Sequence, residues 1–172
     1  MNKLDNLVWS LCRDVHENWV RVKHSQGYSY GPVTDKIAKT HRDIKPYEEL
    51  TKENIAVEVS AVWSLIITMN RCGYQVLSAE EAQEHMKLGN GEARQQLIEV
   101  LCREAHESWV RLKAEQGYVY GQVTDDVAKT NSDLRPYEEI SDEKRQLDRS
   151  VVETVIEGIH RRAYYIVRRE NI

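Results

Sequence analysis

One pattern is written twice in this chain, and it constrains the fold more than any other feature. His16-Glu17-Asn18-Trp19-Val20-Arg21-Val22-Lys23, closing on Gln26-Gly27-Tyr28-Ser29-Tyr30-Gly31, returns ninety positions later as His106-Glu107-Ser108-Trp109-Val110-Arg111-Leu112-Lys113 and Gln116-Gly117-Tyr118-Val119-Tyr120-Gly121. No insertion separates the copies, so the chain is a duplicated unit of helix, aromatic loop and helix. The expected layout is a first unit over 1–77, a connecting segment over 78–91 and a second unit over 92–172, joined in one compact body. A chain of 172 residues can bury most of its unfolded surface without outside help.

The fold class follows from periodicity. Leu4, Leu7, Val8, Leu11, Val15 and Val22 recur at three- and four-residue steps, which predicts a helix from about Leu4 to Lys23 with that stripe inward. In the second copy Leu97, Ile98, Leu101, Ala105 and Leu112 do the same. Gly27 and Gly117 are placed to cap these helices in the left-handed conformation. Tyr28 to Pro46 has neither helical nor strand periodicity and reads as an ordered loop. A second helix is expected from Lys52 to Arg71, capped by Thr51, with Ile55, Val59, Val62, Trp63, Ile66 and Ile67 inward. Its counterpart follows Ser141, with Leu147, Val151, Val152, Val155 and Ile159 inward.

Gly73 to Leu77 and Ala163 to Val167 are short and rich in aromatic and β-branched residues, which suits a small strand after each second helix. Ser78-Ala79-Glu80-Glu81 resembles a capping box and predicts a short connecting helix. The polar end Arg168 to Ile172 is expected to fray. The class is therefore mainly α, with two tandem helix-loop-helix repeats related by an approximate two-fold and strand-like tails.

Charge and cysteine usage remove several function classes. A net charge of -4 argues against a duplex-DNA binder, which needs clustered Lys and Arg on phosphates. No stretch approaches the apolar length of a bilayer span, and the opening Met1 to Asn6 lacks an apolar run behind basic residues, so a cytoplasmic location is expected. Cys12 and Cys102 occupy one repeat position on the apolar side of a helix, while Cys72 has no counterpart, a pattern of buried free thiols. His16-Glu17 and His106-Glu107 begin like a zinc-protease helix, but Val20 and Val110 stand where the second ligand belongs. Phosphate-cradling and nucleophile motifs are missing too. Neither a metal, a cofactor nor an enzyme is expected.

The motifs together resemble the RyR domain, the repeat found in pairs on ryanodine receptors and in bacterial and phage proteins. They are His-x-x-Trp, the Lys four residues on, Gly-Tyr-x-Tyr-Gly, and Pro46-Tyr47-Glu48-Glu49-Leu50. The second copy adds Glu143, Lys144, Asp148 and Arg149. Tyr28 and Tyr118 stand where members often have Trp, Thr34-Asp35 and Thr124-Asp125 where Arg-Asp is common, and His41-Arg42 where His-Pro is usual. The resemblance implies two antiparallel helix pairs with loops packed over them. It implies no catalytic activity.

His16, Trp19 and Lys23 fall on one line at the border of the buried stripe, as do His106, Trp109 and Lys113. Two readings stand side by side. In one, Trp is core, His bonds a loop carbonyl, and Tyr28, Tyr30, Tyr118 and Tyr120 bury their rings to pin the loops. Tyr30→Ala would then cost about 3 kcal/mol. In the other, each line borders a cleft for a nucleotide-like ligand, with stacking on Trp, charge pairing with Lys and a hydrogen bond from His, the second copy favoured. The resemblance supports the ligand, since members of the family are linked to adenine-nucleotide binding at such a place. A protein-interaction module with filled clefts is the alternative.

Overall fold

The computed structural model describes residues 3–169. Of the end expected to fray from Arg168 to Ile172, Arg168 and Arg169 are instead held, their N–H groups bonding the carbonyls of Met86 at 2.9 Å and Gly73 at 2.8 Å, and 170–172 lie outside the described residues. Helix α1 spans Lys3–Ser25, α2 Lys52–Arg71, α3 Glu92–Glu115 and α4 Asp142–Arg161. Strand β3, Tyr74–Ser78, follows α2, and β6, Tyr164–Arg168, follows α4. None of these helices is long and apolar enough to cross a membrane.

Local chemistry sets the helix ends. Thr51 and Ser141 accept hydrogen bonds from the backbone N–H of Asn54 and Lys144 at 3.2 Å, satisfying first-turn donors of α2 and α4. Gly27 and Gly117 close α1 and α3 at φ +86° and +83°. There the N–H of Gly27 reaches the carbonyl of His24 and that of Tyr28 reaches Lys23, both at 2.9 Å, and Gly117 and Tyr118 repeat the arrangement. This paired bonding satisfies the carbonyls that a helix end leaves open.

The approximate two-fold is visible in one ladder. β3 and β6 pair antiparallel with Val76 opposite Ile166, its own repeat equivalent ninety positions on. Exchanging the copies therefore maps the ladder onto itself. The helices pack more extensively across copies, α1 on α4 and α2 on α3, than α1 does on α2. One apolar cluster holds Leu11 and Val15 of α1, Leu65 and Met69 of α2, Leu101 of α3 and Ile156 and Ile159 of α4. Burying each such side chain contributes about 1.5–3 kcal/mol. α1 approaches α4 closely at Gly158, where a Cβ would stand 2.6 Å from Leu11. Asp14 ties the same pair of helices together, accepting two hydrogen bonds from Arg162, at 2.6 and 3.0 Å.

Several expectations need correction. Cys12 and Cys102 are buried thiols, but Cys72 is exposed. Residues 79–85 form turns rather than a connecting helix. The capping-box bonds are made, with the N–H and hydroxyl of Ser78 donating to the Glu81 carboxylate at 2.9 and 2.6 Å. After one turn, however, the chain is drawn onto the outer edge of β6. Leu88 N–H bonds the Ile166 carbonyl at 2.8 Å, and Arg168 N–H bonds Met86 at 2.9 Å. A strand edge left without partners is costly, and this segment supplies them.

The loop from Tyr28 to Pro46 also contains regular structure. Ser29–Tyr30 (β1) pairs parallel with Thr40–His41 (β2), and Val119–Tyr120 (β4) pairs likewise with Thr130–Asn131 (β5). Between β1 and β2, the Asp35 carboxylate accepts the N–H groups of Ile37 and Ala38 at 2.8 and 2.9 Å. Gly31 is required because a Cβ would lie 2.6 Å from the Thr40 Cβ. Backbone pairing thus holds the loop. Tyr30 is 60% exposed and Tyr120 46%, so neither ring is the buried pin expected of it, and truncating Tyr30 removes no core aromatic.

Candidate functional site

The border residues of α1 and α3 meet the loops, and the imidazoles lie deepest. His16 is 2% exposed and His106 1%. Nε2 of His16 donates to the Lys45 carbonyl at 2.8 Å, and Nε2 of His106 to the Arg135 carbonyl at 2.7 Å. On the other side of each ring, Nδ1 of His16 lies 3.6 Å from Glu58, and Nδ1 of His106 lies 3.4 Å from Asp148. Burial pulls the His16 pKa down, but the Glu58 carboxylate and the Lys45 carbonyl outweigh it, and the net shift is upward. Both rings fasten loop to helix. Behind them stand Tyr47 and Tyr137, ring centroids 5.9 Å away.

Trp19 and Trp109 are half-buried. Trp19 stacks on His16 at 5.9 Å and receives the edge of His41 at 4.8 Å. Trp109 is capped by the Lys144 ammonium, 4.9 Å above its ring. Lys23 and Lys113 lie over Tyr28 and Tyr118 at 4.7 and 4.6 Å. Aromatic faces attract cations, so each tyrosine holds its lysine at the end of the helix.

Lys23 borders a cleft between the copies. A cavity of about 80 Å³ is lined by Lys23, Tyr28 and Lys36 of the first copy and by Asp133, Ser141 and Lys144 of the second, with Glu143 beside them. Lys36 donates to the Ser132 hydroxyl at 2.7 Å and to Asp133 at 3.1 Å. Lys144 is paired with Asp148 beneath. Burial pushes the Lys23 pKa down, and Lys144 pushes it further, against the pull of Glu143.

The pseudo-symmetric surroundings of Lys113 have the opposite character. Asp126 replaces Lys36 and Asn54 replaces Lys144, while Asp43 repeats Asp133. Burial lowers the Lys113 pKa as well, but its strongest neighbours, Asp126 and Asp43, oppose the shift. Tyr118 donates its hydroxyl to Asp126 at 3.1 Å. The repeat conserves the frame of the two clefts and inverts their charge.

His41 has a distinct state. The Asp43 N–H donates to its Nδ1 at 3.1 Å, which requires the neutral ring. Asn131 does the same in the second copy, its Oδ1 accepting Asp133 N–H at 2.8 Å. Burial, helped by Lys23 and Lys113 and opposed by Asp43, pushes the His41 pKa down to about 4. An unfolded imidazole binds its proton near ~6.5, so the unfolded state gains protons first as pH falls, and stability is lost between there and the folded value. The loss from this ring is up to about 3 kcal/mol. His16, shifted upward, acts with the opposite sign, its contribution complete in acid and fading as pH rises through its folded value. His41→Asn should therefore fold and flatten the acid limb. Urea midpoints measured from pH 7 to 4.5 check this, and parallel profiles for the two proteins would contradict it.

Lys36, Lys144, His41, Glu58 and Asp148 belong to the site and were not among the expected site residues. The signal for Lys144 and Asp148 was their four-residue spacing on one helix face. Lys36 was legible only by setting it against Asp126. Among the described residues, no three His, Cys, Asp or Glu side chains gather where a metal ion could be held. The family model for the RyR domain matches the chain twice, over residues 1–78 and 84–168.

Proposed function

The chain belongs to the RyR domain family, and on that footing we propose that it is a non-enzymatic binding module that holds a nucleotide-like anion in the cleft of Lys23, Lys36 and Lys144. The observation that carries this reading is the gathering of three ammonium groups from both copies around a phosphate-sized cavity. Ser141, the N-cap of α4, lines the same cavity, and a helix N-terminus favours an anion through its open N–H groups and dipole. A phosphoryl group there also relieves the repulsion that Lys144 exerts on Lys23.

The cavity is too small for a whole nucleotide, so the ring of the ligand lies at its mouth. Tyr28 is the aromatic side chain lining it, while His41 and Lys144 occupy positions against Trp19 and Trp109. One such stack contributes ~1–3 kcal/mol, which with a few charge-assisted contacts gives affinity in the micromolar range. His16 and His106 position the loops rather than touch the ligand.

Calorimetry with ADP on the wild type and on Lys23→Gln tests the proposal. One ligand per chain and a loss of roughly tenfold or more in the variant are expected, since a hydrogen bond to a charged group is worth about 1.5–3 kcal/mol. No heat with the wild type, or equal affinity in the variant, would discard the reading.

One observation favours a protein-interaction module instead. Ile37 and Val127, equivalent residues at the loop tips, are 94% and 90% exposed, and Val33 and Val123 stand beside them. Apolar side chains so fully in water suit a partner surface.

A further inference from the structure

A larger cavity, of about 390 Å³, lies between α3, α4 and the Tyr137–Glu139 turn, and shares no lining residue with the lysine cleft. Its walls carry Arg103, Arg145 and Arg149, with Tyr137, Gln146 and Glu99 between them. The volume lies within the ~300–1,000 Å³ typical of small-molecule sites. Cys102 also borders it, but burial pushes that thiol up to about 11, so it is not a nucleophile.

The guanidinium groups are held in place from behind. Arg103 and Arg145 lie 5.3 and 6.0 Å from the Tyr137 ring centroid. Arg145 Nη2 donates to the Glu138 carbonyl at 2.6 Å, and Arg149 Nη2 to the Gln95 side chain at 3.0 Å. Each arginine also meets a carboxylate: Arg103 meets Glu138, Arg145 meets Asp142 and Arg149 meets Glu153. All three carboxylates are more than a third exposed, and pairs so open to water are worth about 0–1 kcal/mol. They are weak competitors for a ligand. With five N–H donors on each guanidinium, several remain for an incoming oxyanion.

The comparison of copies gives a second, independent line of argument. Arg13 and Tyr47 match Arg103 and Tyr137, but Trp9, Ile55, Ala56 and Val59 stand where Glu99, Arg145, Gln146 and Arg149 do. In the first copy these positions are apolar, and Ile55 and Val59 pack against the core. The second copy carries two further guanidinium groups at these positions, where the first copy has apolar cover.

We infer that this hollow is a binding site for a small, multiply charged oxyanion, recognised by the paired forks of Arg145 and Arg149 with Arg103 at its edge. Planar forks of this kind bind carboxylate and phosphate alike. The inference does not rest on the lysine cleft.

Calorimetry at low salt with inorganic pyrophosphate and with citrate tests it on Lys23→Gln, in which the lysine cleft is weakened, and on the same protein carrying Arg145→Gln/Arg149→Gln as well. Binding of either probe supports the site, and which of them binds more tightly tells phosphate from carboxylate. Adding the arginine double substitution should weaken it roughly tenfold or more. Arg149→Lys, which keeps the charge and loses the fork, gives a milder loss and serves if the double variant unfolds. No binding of either probe to Lys23→Gln, or unchanged affinity in its folded arginine variants, would overturn the inference.

Discussion

Asp148→Ala is expected to destabilise the protein by about 3–5 kcal/mol, the cost of breaking a buried ion pair from one side. Asp148 is 5% exposed on α4 and stands between the Lys144 ammonium and the His106 ring. Lys144 meets one of its oxygens, and His106 Nδ1 lies 3.4 Å from the other, within ion-pair reach although not aligned as a hydrogen bond. His106 Nε2 is already committed to the Arg135 carbonyl, so its ring cannot turn to a new partner without releasing the loop. Alanine would strand the Lys144 ammonium over Trp109 and leave the His106 ring facing a void. Glu58→Ala is the internal control. Glu58 is more exposed, and Asn54 stands in place of the lysine, so only the His16 contact is lost and about 1–2 kcal/mol is expected. Urea unfolding of both variants with unchanged m-values measures the difference. Equal effects would show that the network of the second copy is no tighter than that of the first.

The contrast between Asp148 and Glu58 also shows which parts of this protein the sequence discloses. Helices, caps and tails are local, written in apolar spacing and in single residues such as Thr51, Ser141, Gly27 and Gly117. Their bounds agree closely with the structure. The β1–β2 pairing is not local in that sense, because two-residue strands carry no periodicity and are held by Asp35, Gly31 and Thr40 at a distance along the chain. The mistaken burial of Tyr30 follows directly: with no pairing in view, an aromatic ring was the only available fastener. The connecting segment shows a different limit. Its capping box is correctly placed, but the open edge of β6 competes for the same backbone and wins.

The candidate site was half legible for a topological reason. Helical geometry put His16, Trp19 and Lys23 on one line, and they do lie together. His16 and Trp19 meet residues of their own copy, but Lys23 faces Ser141 and Lys144 of the other rather than the equivalent residues of its own unit. A repeat read one unit at a time yields two equal sites. The structure pairs each unit with its neighbour, and the small divergences between copies then add up on opposite sides.

That divergence yields the largest expected effect on binding. Lys36→Asp installs in the lysine cleft the residue that the other cleft carries as Asp126, placing a carboxylate beside Asp133 where a cation had neutralised it. The change removes one favourable charge and adds a repulsive one, each worth about 1.5–3 kcal/mol against a bound phosphoryl group. ADP affinity should therefore fall on the order of 100-fold or more, well beyond the loss from Lys23→Gln. Stability should move little, because Lys36 is exposed and a surface pair contributes about 0–1 kcal/mol. The reciprocal change, Asp126→Lys with Asn54→Lys, gives the Lys113 cleft the cations of its partner and should raise the stoichiometry from one ligand per chain to two. Calorimetry reads both numbers in one titration. If Lys36→Asp binds as the wild type does, the charge inversion between the clefts does not select the ligand, and the loop tips at Ile37 and Val127 become the better place to look for what this pair of repeats holds.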